Sequence, residues 1–155
     1  MFSGISGYNL YQSLSLADHA QKAGASCLVC ATPLLHQLDE QRIFKFFEII
    51  NSNSSIPVMI QNMEGFSVNP IKIDTINNLI SEFHNLKYIK EESSPSIIKI
   101  EQVITKCEGN AEAVFGGFGG AQLIDELELG SSGSLVASEF VDILVYTQLF
   151  SPISL

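Results

Sequence analysis

Tryptophan is absent from this chain, cysteine is down to three residues, and positive charge is scarce. Eight Lys and Arg stand against seventeen Asp and Glu, giving a formal net charge of −9. So acidic a chain repels phosphate backbones, which excludes nucleic acid as an expected partner. No stretch reaches the roughly 18 apolar residues of a spanning helix, and no basic amphipathic segment suggests a membrane surface. Met1 to Gly7 also lacks the charged start and long apolar core of a secretory signal. The expected location is cytoplasmic, with no membrane partner.

The few cysteines do not form a redox or metal pair. Cys27 and Cys30 have C-x-x-C spacing, but the segment Ser26 to Ala31 reads as a strand. Residues three apart on a strand point to opposite faces, so these are expected to be buried core thiols, like Cys107. His19, His36 and His84 are scattered without metal-ligand spacing. Neither a metal nor a cofactor is expected, and no G-x-G-x-x-G follows the first apolar run.

What is present is apolar bulk and rhythm. Hydrophobic residues make up 46% of the chain, with ten Phe among them, enough for a core in a single domain spanning residues 1–155. Short, near-continuous apolar runs occur at Cys27–Thr32, Ile56–Gln61, Leu86–Lys90, Ala113–Gly116 and Gly133–Ala137. They predict strands of a parallel sheet covered on both faces.

Helical spacing fills the intervals. Leu10, Leu14, Ala17 and Ala20 form one stripe, stopped at Gly24. Ile43, Phe46, Phe47 and Ile50 form the next. Asn69 and Pro70 predict a capped start for a helix carrying Ile73, Ile76, Leu79, Ile80 and Phe83. Ser94 is the expected cap of a helix with Ile97, Ile100 and Ile104 inward. Leu123, Ile124 and Leu127 predict a further helix, with Asp125, Glu126 and Glu128 on its solvated side, and a last helix begins near Ser138. Alternating strand and helix means right-handed crossovers in an α/β fold. Either a doubly wound sheet or part of a (β/α)8 barrel satisfies the pattern.

In both architectures the site forms at the C-terminal ends of the strands. Polar and special residues gather there: Thr32-Pro33, Gln61-Asn62, Lys90-Glu91-Glu92, Gly116-Gly117 and Ser134. Lys90 is the cation of the set. Burying an ammonium at the end of an apolar strand is costly, which gives Lys90 a reason to be functional. A lysine placed so can form a Schiff base with a keto acid, an electron sink for carbon–carbon chemistry. Gly116 to Gly120 joins a strand to a helix and is a candidate anion loop. No G-x-S-x-G elbow or Ser/His/Asp set is apparent.

Taken in order, Cys27-Leu28-Val29-Cys30-Ala31-Thr32-Pro33, Ile56-Pro57-Val58-Met59-Ile60-Gln61-Asn62, Tyr88-Ile89-Lys90-Glu91-Glu92-Ser93, Phe115-Gly116-Gly117 and Gly130 to Ser134 resemble the dihydrodipicolinate synthase/N-acetylneuraminate lyase family. The resemblance implies a partial (β/α)8 TIM barrel of about five C-terminal strand–helix units, lacking the first strands and the C-terminal helical extension. Met1 to Gly7 would match the end of the third strand. It also implies a Schiff-base lyase or aldolase acting on 2-keto acids such as pyruvate, as a homo-oligomer or with a complementing fragment. Lys90 would be the nucleophile. Gly117 and Leu135 would line the keto-acid pocket, and Thr32 and Pro33 would shape the wall beside it.

Three positions depart from the family pattern. Gln61 stands where most members carry a proton-relaying tyrosine, and glutamine cannot act as a general acid. Phe66 stands where synthases place an arginine, and Leu34-Leu35 where a tyrosine pair is usual. Lysine biosynthesis is therefore not the expected activity. Two alternatives remain open: a non-catalytic remnant serving binding or oligomerisation, and a phosphate-binding barrel using Gly116 to Gly120.

Overall fold

A computed structural model describes residues 1–35, 37–64 and 67–136. Five parallel strands form one sheet: β1 (Phe2–Gly4), β2 (Cys27–Cys30), β3 (Val58–Asn62), β4 (Leu86–Glu91) and β5 (Ala113–Phe115). Between and after them lie α1 (Leu10–Lys22), α2 (Glu40–Ser52), α3 (Ile73–Glu82), α4 (Ser96–Lys106) and α5 (Leu123–Glu128). A 3-10 turn over Phe118–Gly120 precedes α5.

The strand order is β1-β2-β3-β4-β5, every pair parallel. Each strand therefore lies beside the previous one, and the winding never reverses. With right-handed crossovers throughout, all the connecting helices lie on the same face. That excludes the doubly wound alternative, which needs a reversal, and leaves a segment of a barrel.

The two faces differ in composition as this topology requires. One face carries Leu28, Cys30, Val58, Ile60, Ile89 and Val114, packed with Ala17, Phe47, Ile50, Ile76, Leu79, Ile100 and Val103 of the helices. The other carries Cys27, Met59, Tyr88 and Phe115. The sheet curls about this second face. The Phe115 ring meets Tyr88 and also Phe2, on the first strand, at centroid distances of 6.4 Å in both cases. Opposite edges of the sheet thus approach each other across a concave interior.

Several local expectations need correction. The apolar runs leave out β1, which is three residues long and lies within Met1 to Gly7, the segment the resemblance matches to the end of a strand. The run Gly133–Ala137 does not form a strand in its described part; Ser134 makes an isolated bridge to Gly116. Asn69 does not cap α3, which starts at Ile73 after Lys72. Its side chain instead accepts from the Leu38 N–H (2.6 Å) and donates to the Pro33 carbonyl (2.9 Å). α4 starts after Pro95, with no side-chain cap from Ser94. In α5, Ile124 is exposed and Glu126 is buried, because the buried face of this short helix runs through Leu123 and Glu126, three residues apart, rather than through Leu123 and Ile124. Asn9 and Asp39 do cap α1 and α2, accepting from Gln12 N–H and Arg42 N–H. The expected helix near Ser138 lies outside the described residues.

Candidate active site

The site is assembled at the C-terminal end of β4, where strand periodicity decides which side chains meet. Gln61 of β3 is the register partner of Lys90, and Lys90 is the partner of Phe115 in β5. These three sit side by side on the concave face. Side chains alternate along a strand, so Lys90 and Glu92 share that face and Glu91 takes the other.

Lys90 is well shielded, its side chain retaining 13% of its exposure. Its Nζ lies 3.0 Å from Glu92 Oε2. The same Oε2 accepts a hydrogen bond from Gln61 Nε2 at 2.6 Å. The other carboxylate oxygen accepts from the Phe118 backbone N–H at 3.2 Å. Glu92 is thus held by three donors from β3, β4 and the glycine turn. Gly117 makes this possible: a Cβ there would collide with the Glu92 carboxylate. The turn itself is bent through positive φ at Phe118 (42°), Gly119 (68°) and Gly120 (71°), a conformation glycine adopts without steric cost.

Of the two glutamates that follow Lys90, Glu92 is the one beside its amine. Glu91 is buried on the helix side of the sheet. It accepts from Asn62 Nδ2 (2.9 Å) and from the Ser93 N–H (2.7 Å). Burial pushes its carboxyl above the usual carboxylate range, against the hydrogen bonds from Ser93 and Asn62. Asn62 also clamps the loop before α3, donating to the Ile71 carbonyl and accepting from its N–H. This clamp fixes the end of β3 and, through it, Gln61.

Behind the glycine turn lies a second carboxylate. Glu126, expected on a solvated face, is buried, and its Oε1 accepts from Ser96 Oγ at 2.8 Å. Gly116 leaves room for it, since a Cβ there would overlap the Glu126 carboxylate. The two consecutive glycines therefore each face a glutamate. This argues against Gly116 to Gly120 as a phosphate loop: its Phe118 N–H already serves an internal carboxylate, and the Glu92 and Glu126 side chains fill the space against Gly117 and Gly116.

The remaining expected residues fall in two groups. Gly117 joins the cluster through Glu92. Leu135 is tied to it by backbone, its N–H donating to the Gly116 carbonyl at 3.0 Å. Thr32 stands after β2, on the far side of β3 from Lys90. It is buried, and its hydroxyl is committed to the neighbouring loop, at 3.0 Å from the Asn69 carbonyl and 2.8 Å from Ser67 Oγ. Phe66 and His36 lie outside the described residues.

Sequence reasoning missed Glu92 as the hub of the cluster, although its position two residues after Lys90 carries the signal. It also missed Asn62 and Asn69 as loop clamps. Cys27, Cys30 and Cys107 are free and buried; burial pushes the Cys27 and Cys107 thiols up to about 11 and raises Cys30 as well. Among the described residues no group of three His, Cys, Asp or Glu is placed to hold a metal ion, and no helix is long and apolar enough to cross a membrane.

The sequence model of the dihydrodipicolinate synthetase family matches residues 1–151. A DapA-like lyase of Thermococcus onnurineus is 28% identical over 136 residues, 86% of this chain and 45% of the relative. The 4-hydroxy-tetrahydrodipicolinate synthase of Bartonella tribocorum is 30% identical over 105 residues, 68% of this chain and 35% of the relative. Among solved structures, YagE, a prophage protein of the dihydrodipicolinic acid synthase family from E. coli K12 in complex with pyruvate, superposes with a TM-score of 0.89. It is 24% identical, and the match covers 96% of this chain and 50% of that one. The chain therefore spans half, or less, of the length of these relatives.

Proposed function

The chain belongs to the dihydrodipicolinate synthetase family, and from that premise we propose that it carries the Schiff-base half of a lyase or aldolase site acting on 2-keto acids. In this reading the Lys90 nitrogen adds to the C2 carbonyl of a keto acid such as pyruvate. Loss of water leaves an imine, which withdraws electrons from the neighbouring carbon. A carbon–carbon bond at that carbon can then be made or broken at neutral pH.

The observation that carries the reading is the placement of Lys90. Its amine projects from the C-terminal end of a parallel strand onto the concave face, shielded from water, beside Gln61 and the double-glycine turn. The pyruvate complex of YagE supports the class of substrate for a relative of the same fold. Gly117 and Leu135 would line the keto-acid pocket. Gln61 orders the site by hydrogen bonding, since an amide does not donate a proton as an acid.

Incubation with pyruvate and borohydride tests the proposal. A reduced covalent adduct should form and map to Lys90, and Lys90→Ala should abolish it. Failure to form an adduct with pyruvate or any other 2-keto acid would overturn the lyase reading. It would favour instead a remnant that serves binding or oligomerisation, the reading to which Gln61 in the tyrosine position lends support.

A further inference from the structure

Building on the Schiff-base reading, we propose that Glu92 is a catalytic residue, carrying the proton that must leave Lys90 and returning it to the departing oxygen of the keto acid. Gln61 opens the question. An amide at that position can fix a neighbour but cannot relay a proton, and imine formation needs a relay. Among the described residues, Glu92 is the group that both touches Lys90 Nζ, at 3.0 Å, and can carry a proton.

Its surroundings are built around one carboxylate. Gln61 Nε2 fixes the oxygen nearest the lysine, the Phe118 N–H fixes the other, and Gly117 surrenders its side chain to make room. Phe118 holds a positive φ of 42° to present its N–H, a conformation that costs energy in a bulky residue. Lys90–Glu92 is also the pair, among the described ion pairs, whose two side chains are both largely shielded. Shielded pairs seldom add stability over an apolar packing, so function is the better account of this one.

The Lys90 ammonium passes one proton to the Glu92 carboxylate. The freed amine adds to C2 of the keto acid, and its second proton moves to the former carbonyl oxygen, giving a carbinolamine. The Glu92 carboxylic acid then protonates that hydroxyl, the C–O bond breaks, and water leaves. What remains is the iminium, with Glu92 again a carboxylate. Phe118 N–H and Gln61 Nε2 hold the carboxylate in line throughout.

The test is the rate, rather than the extent, of borohydride trapping by pyruvate. Glu92→Gln, isosteric with the native residue, should slow adduct formation on Lys90 by roughly 10²-fold or more. Glu92→Asp should recover part of the rate. Glu92→Ala leaves room for a small acid, and added formate should accelerate it where chloride at equal ionic strength does not. Trapping of the Gln or Ala variant at the unsubstituted rate would overturn the proposal. So would a slow Ala variant indifferent to formate, which would assign Glu92 a structural role. If the unsubstituted chain yields no adduct, the Schiff-base reading fails and takes this one with it. A normal adduct with Glu92 variants unaffected defeats the relay alone.

Discussion

At the scale of single residues, the glycine turn is an arrangement of two carboxylates with opposite fates. Glu92 has three donors; Glu126 has one, from Ser96, and its Oε2 is buried with no hydrogen-bond partner among the described residues. Burial pushes the Glu126 carboxyl above its usual value, and the charges of Glu92 and Asp125 push the same way, against the hydrogen bond from Ser96. The folded state therefore holds the Glu126 proton more tightly than the unfolded chain does. Linkage then makes this residue's contribution fall as pH rises from the unfolded value near 4.5 through the folded one. Glu126→Gln removes the titration while keeping the shape. Its melting temperature should exceed that of the unsubstituted chain near neutral pH, and thermal scans at several pH values should show the gap closing below the unfolded value.

At the scale of elements, the sheet is held by interleaving apolar rows from strands and helices. Ile89 at the centre of β4 is fully buried between β3, β5 and the helices, one residue from Lys90 on the opposite face. Ile89→Ala should cost about 2–5 kcal/mol by denaturant unfolding, through lost transfer energy and the cavity left behind. Apolar rhythm made most of these elements legible in the sequence. The stripes through Ile43 to Ile50 and Ile76 to Ile80 are those the structure buries. The misses have local causes. Three-residue β1 is too short to display a period. Asn69 looked like a helix cap because caps and loop clamps use the same side-chain chemistry, and only tertiary contact decides between them. Lys90 and Gln61 could be placed on one face once their register was known, but register across two parallel strands is not written in either strand alone. Glu126 was misassigned because a glutamate in an amphipathic pattern reads as solvated, and nothing local announces that Gly116 will make space for it.

At the scale of the whole molecule, little stability comes from charge. The net charge is −9, and six of the seven described ion pairs have substantially exposed side chains, where such pairs contribute little. The fold rests instead on its apolar layer and on the curl of the sheet. That curl has a consequence for time as well as shape. Neighbouring strands pair after each connecting helix, but the Phe2 ring reaches Phe115 only when every intervening unit is in place. So distant a contact is among the slowest to form and is expected to be absent from the folding transition state. Phe2→Ala should therefore steepen the loss of structure, raising the unfolding rate in a chevron plot, while the refolding limb stays where it was.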